Sequence, residues 1–175
     1  MTATSQSDAA EIRIYVACLA SYNNAMLHGA WISANQDEAN ILAAIRAMLA
    51  NSPIPDAEEY AIHDYEGFGP LRIGEYQGVA EIADIAAFIA QKGDLAAELV
   101  FHYGDVGAAR DALENRYAGS YEDLEAFAQE LTEQTTQIPE PLQYYIDWRA
   151  MARDLAISDA ETFEIAGEVH VFWHR

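Results

Sequence analysis

Carboxylates recur three and four residues apart along this chain, at Glu81 and Asp84, Asp94 and Glu98, Asp111 and Glu114, and from Glu122 through Asp123, Glu125, Glu130 and Glu133. On a helix that spacing puts side chains on one face, with Cβ atoms about 5 to 6 Å apart. Grouped carboxylates serve three kinds of chemistry: acid and base work in a hydrolase, ligation of a hard cation, or a fixed negative field facing a cationic partner. Nothing selects one pair for hydrolysis. There is no Gly-Xaa-Ser-Xaa-Gly elbow, no phosphate-binding glycine loop and no Cys/His constellation to fix a nucleophile. Asp64-Tyr65-Glu66-Gly67 resembles the start of a calcium loop but lacks the further acidic positions and the distal Glu. The histidines His28, His63, His102, His170 and His174 form no metal signature, because Val169-His170-Val171-Phe172 reads as strand and separates His170 from His174. No catalytic residue, metal ligand or cofactor is assigned.

The third chemistry agrees with the composition. Asp and Glu number 29 against 9 Lys and Arg, a formal net charge of -20 in 175 residues, with a pI near 4.3. A small domain stays soluble with a net charge of roughly 2 to 8, so the excess calls for another use. A halophilic or acid-rich proteome accounts for an acidic surface too, although here lysine has almost vanished, leaving only Lys92. Composition leaves both readings open. Disorder is excluded, since 51% of the chain is hydrophobic and Trp31, Trp148, Trp173 and ten tyrosines are spread along it. Direct binding of nucleic acid or anionic membrane is disfavoured because the basic residues are few and scattered. No run of 18 apolar residues is present, and Met1 to Ala10 is polar, so the expected location is cytoplasmic. Cys18 has no disulfide partner and lies in an apolar alternating run, which reads as a buried structural thiol.

The elements that must carry the acids follow from periodicity. Residues 1–11 read as a flexible leader. Ile12, Ile14, Val16 and Cys18 alternate as a strand, Ser21 to Asn24 break it, and Met26 to Ile32 form a second strand. A helix from Asn35 carries the stripe Ile41, Leu42, Ile45, Met48 and Leu49, and Glu59 to Tyr65 is a third strand. Gly67-Phe68-Gly69-Pro70 marks a boundary, giving an α+β domain over 12–69. A helical middle domain over 70–116 follows, with helices from Val79 to Lys92, from a capping Asp94 through Phe101, and from Val106 to Arg116. The last domain, 117–175, is α+β. A helix led by Ser120 or Tyr121 has Leu124, Phe127, Ala128 and Leu131 on one face, another runs from about Leu142 to Ala156, and Thr162–Ile165 and Val169–Trp173 form a hairpin around Gly167. Glu122, Glu125, Gln129 and Glu133 face away from the Leu124 stripe, Glu130 borders them, and no Lys or Arg lies in that helix to pair with them.

Specific segments carry a family resemblance. Ile14 to Asn24 followed by Leu27 to Ile32, Glu58 to Phe68, and Leu113 to Ala128 resemble, in order and spacing, the shared blocks of ArdA antirestriction proteins. Ala25, Ala30 and Ser33 depart from it, standing where a glycine, a larger polar residue and an acid are expected. The resemblance implies an elongated three-domain α+β chain that dimerises through its carboxy-terminal domain. It also implies a non-enzymatic DNA mimic, carried on mobile genetic elements, that blocks Type I restriction-modification enzymes through their DNA-recognition and methyltransferase subunits. The last block holds the family's antirestriction motif, which assigns Tyr117, Leu124 and Phe127 to support of the domain or the dimer. The rival classes are an acidic adaptor for another basic DNA-binding protein and a carboxylate hydrolase.

Overall fold

The computed structural model describes residues 11–174, so residues 1–10 of the expected leader lie outside the described residues. The described residues form a mixed α+β chain with two three-stranded antiparallel sheets. Contacts group the described residues up to Val106 into one compact unit and those from Gly107 onward into another.

In the first unit, β1 (Arg13–Cys18) is the central strand between β2 (Gly29–Ser33) and β3 (Tyr60–Glu66). Alternation dictates its two faces. Ile14 and Val16 point inward, paired with Ile32 and Ile62, and pack with Ile41, Ile45 and Met48 of α2 (Glu38–Ala50) in a buried core. On the other face Tyr15 pairs with Trp31, their rings 5.5 Å apart, and the Arg13 guanidinium lies 4.6 Å from the Trp31 ring centre. The expected break at Ser21 to Asn24 is instead a short helix, α1 (Leu19–Asn23), closed by the Asn24 amide donating to the Ala20 carbonyl at 2.8 Å. The second strand starts at Gly29 rather than Met26, because 26 and 27 have no cross-strand partner and Leu27 is 95% exposed. Ala25, where the resemblance implies a glycine, has φ 57°, the left-handed region that favours glycine. Cys18 is fully buried as expected. Burial pushes its thiol up, but hydrogen bonding with Ser52 and Ser21 outweighs this and leaves it below its ordinary value.

Gly67–Pro70 interrupts regular structure, yet Phe68 within it is buried against Tyr65. Beyond it α3 (Val79–Lys92) buries Ile82, Ile85, Ala86 and Ile89, packing on α2 and on α4 (Asp94–Tyr103). Asp94 was expected to cap α4. The cap is Gly93, whose φ of 64° makes the abrupt corner between the helices, and Asp94 sits in the first turn without a capping bond.

The second unit begins within α5 (Val106–Asn115). Its sheet has the order β4-β6-β5, from β4 (Tyr117–Tyr121), β5 (Ala160–Ile165) and β6 (Glu168–Trp173). The expected closing hairpin forms around Ala166 and Gly167, both at positive φ, the two-residue turn that matches strand twist. One face of the sheet joins α6 (Leu124–Thr135) and α7 (Trp148–Ser158) in a core of Phe127, Ala160 and Val171, ringed by Leu124, Leu131, Leu155 and Trp173. Two boundaries differ from expectation. Residues 117–121 are strand, and the helix starts at Leu124, because Asp123 caps it by accepting from the Ala126 N–H at 2.7 Å. The helix expected from Leu142 starts at Trp148 under the Asp147 cap, and Glu140–Tyr145 is a 3₁₀ turn with no buried side chain.

Candidate functional site

Among the described residues no carboxylate is buried, and only Glu98, Asp111 and Glu161 are half-buried, the others being exposed. In the first unit Glu81 and Asp84 are exposed on α3. Asp94 is exposed at the start of α4, and Glu98 is half-buried one turn later. In the second unit Glu114 is exposed on α5, and Asp111, half-buried, accepts from the Asn115 amide at 2.9 Å. Glu125, Glu130 and Glu133 project from α6. Glu122 is exposed too, but it lies before the cap and so is not on the helix, contrary to expectation.

What holds these groups matters more than their number. On α6, Gln129 donates to Glu133 at 2.8 Å and Gln134 donates to Glu130 at 3.0 Å. These are the i to i+4 positions where surface helices ordinarily place a lysine or arginine. A neutral amide restrains the carboxylate without cancelling its charge. The same holds for Ser120 donating to Glu168 at 2.8 Å and for the two helix caps, while Asn115 donates to Asp111 at 2.9 Å. Elsewhere cations do pair: Arg13 with Glu66 at 2.8 Å and Glu11 at 3.5 Å, and Arg116 with Glu161 at 3.1 Å.

The structure adds acids that helical spacing passes over. Asp37 and Glu38, at the start of α2, line a groove of about 380 Å³ with Asp84 and the small residues Ala80, Ala83 and Ala87 of α3. Glu58 and Glu59 lie beside Tyr60 and Tyr76 in a second groove. Neither group shows a three- or four-residue recurrence, because each is assembled from a loop and a neighbouring element.

Of the residues expected to support the second unit, Phe127 is core and Leu124 packs beside it. Tyr117 lies in β4, with its hydroxyl 2.9 Å from His170 Nδ1 and its ring stacked on that imidazole. Burial raises the Tyr117 phenol above its ordinary value, with Glu168 adding to it. Burial likewise raises Tyr121, helped by Glu130. Gly119 between them has φ 137°, and a Cβ there would stand 3.1 Å from the Tyr121 ring.

Among the described residues no three His, Cys, Asp or Glu side chains are grouped to hold a metal ion. No described helix is long and apolar enough to cross a membrane. Comparison with individually curated proteins gives no match. The family model described as antirestriction protein (ArdA) matches residues 14–168, nearly the whole described chain. That family consists of inhibitors directed at restriction enzymes rather than of enzymes. An acid-rich α+β chain, matched from its first strand into its last, therefore belongs to the ArdA antirestriction protein family.

Proposed function

We propose that this chain inhibits a Type I restriction-modification enzyme by occupying the DNA-binding groove of its DNA-recognition and methyltransferase subunits as a substitute for duplex DNA. The observation that carries the reading is the pairing on α6, where Gln129 and Gln134 restrain Glu133 and Glu130 while leaving their charge intact. Fixed, uncompensated charges are what a groove built for phosphates attracts by long-range steering. The binding surface comprises Glu81, Asp84, Asp94, Glu98, Asp111, Glu114, Glu122, Asp123, Glu125, Glu130 and Glu133, with Asp37 and Glu38 joining Asp84.

The proposal includes a homodimer formed through residues 117–175, acting in the cytoplasm on behalf of a mobile genetic element. Such a dimer carries twice the -20 of one chain. Duplex DNA with that charge is about 68 Å long, roughly 20 base pairs, at one charge per ~1.7 Å. This matches the scale of a bipartite DNA site.

Competition between the full chain and duplex DNA for a purified Type I enzyme, across a salt series, tests the reading. Mutually exclusive binding that weakens steeply as salt rises is expected. Simultaneous binding of DNA and this chain would instead place it as an acidic adaptor for another basic protein.

A further inference from the structure

We propose that the groove between the start of β3 and the turn at residues 74–77 is a receptor for a single arginine side chain of the basic partner. The identity of that partner rests on the reading above; the chemistry of the groove does not. The groove measures about 470 Å³ and is lined by Leu19, Glu58, Glu59, Tyr60, Tyr76 and Gln77, all from the first unit.

Its walls are fixed at the backbone. Gln77 N–H donates to the Gly74 carbonyl at 3.1 Å, and the Gln77 side-chain carbonyl accepts from Gly74 N–H at 3.0 Å, closing the turn twice. Ile62 N–H donates to the Glu75 carbonyl at 2.9 Å, tying the turn to β3. On the opposite side Leu19 N–H donates to the Glu59 carbonyl at 3.0 Å, and Tyr60 is held by its pairing with Cys18. Tyr76 nevertheless remains 74% exposed. A rigid turn thus holds a large aromatic ring out in water beside a second phenol and two exposed carboxylates.

Charge and shape together select the occupant. Glu58 and Glu59 repel an anion, and an apolar group would desolvate them without replacing the lost hydrogen bonds. The groove has room for a long side chain. A guanidinium lays its plane on a tyrosine ring while its edge donors reach carboxylates, often in pairs. A lysine ammonium is more strongly hydrated and has no plane to stack, so arginine is preferred.

Titration of the full chain by calorimetry with acetylated hexa-arginine amide and hexa-lysine amide, at one salt concentration, tests this. The wild-type chain should bind the arginine peptide about three- to ten-fold more tightly than the lysine peptide. Tyr76→Ala should remove that preference and leave lysine-peptide binding unchanged, while Tyr76→Phe, which keeps the ring, should retain it. Glu59→Gln should weaken the arginine peptide more than Glu122→Gln, which removes the same charge from a residue that does not line the groove. The proposal is overturned if Tyr76→Ala leaves the arginine preference intact, or if both peptides bind equally to the wild-type chain. Either result leaves competition with DNA for the Type I enzyme untouched. Conversely, a preference that depends on Tyr76, without any inhibition of that enzyme, would remove the assigned partner and keep the groove.

Discussion

The hydroxyl of Tyr15 lies across Gly29, 2.7 Å from where a Cβ at that position would stand, and the Val16 carbonyl is 2.6 Å from the same point. Glycine at 29 is therefore what allows Tyr15 to lie flat on the outer face of the first sheet beside Trp31. Gly29→Ala should destabilise the chain by about 1–3 kcal/mol, the usual cost of overpacking. Urea unfolding checks this. Adding Tyr15→Phe should recover little, because the backbone conflict remains; an unchanged midpoint in Gly29→Ala would refute the account.

Ala25 occupies left-handed backbone at φ 57° without a glycine's freedom. Relief of that strain is worth about 1–2 kcal/mol, and the extra freedom of glycine in the unfolded chain offsets roughly half. Ala25→Gly should therefore raise stability by up to about 1 kcal/mol, read as a higher melting temperature. A lower one would show that the position tolerates alanine without strain.

Tyr117 and Tyr121 both have raised phenol values, caused first by burial and then by neighbouring Glu168 and Glu130 respectively. The folded state thus holds these protons more tightly than the unfolded state. The resulting stability is complete below the ordinary phenol value of about 10 and is lost as pH rises through the folded values. Melting temperatures should fall across that alkaline range, and Tyr121→Phe should make the fall shallower. Identical profiles for the variant and the wild-type chain would count against the assignment.

Asp123 has two roles that mutation can separate. Its side chain caps α6 by accepting from Ala126 N–H, so Asp123→Ala should cost about 1 kcal/mol of stability. Asp123→Asn removes the charge and keeps the cap, with a cost of only a few tenths of a kcal/mol. Glu122→Gln, outside the helix, should alter neither stability nor inhibition measurably, because the proposed attraction is spread over many carboxylates. Abolition of inhibition by Glu122→Gln alone would contradict that distributed picture.

The buried face of the first sheet and the stripes of α2 and α3 were readable because Ile14, Val16, Ile41, Ile45, Ile82 and Ile85 recur at strand or helix periods. β4 was not. Its five residues include Gly119 and a register shift, and strand geometry there comes from pairing with β6, some fifty positions away. The start of α6 was misplaced for a related reason: Ser120 and Asp123 are both good caps, and only the pairing of Ser120 opposite His170 assigns it to the sheet. The helical carboxylates were visible through their spacing. The meeting of Asp84 with Asp37 and Glu38 was not, since it depends on how α2 packs against α3.

Gln129 and Gln134 have a thermodynamic consequence beyond geometry. A lysine in either place would be a tethered counterion, bound to the helix by its own covalent stem. With glutamines there, Glu130 and Glu133 are instead balanced by mobile sodium or potassium ions from solution. In the proposed mode of inhibition, docking on a polycationic surface would expel those ions, as when a protein displaces the ion atmosphere of DNA. Association gains entropy from the ions set free.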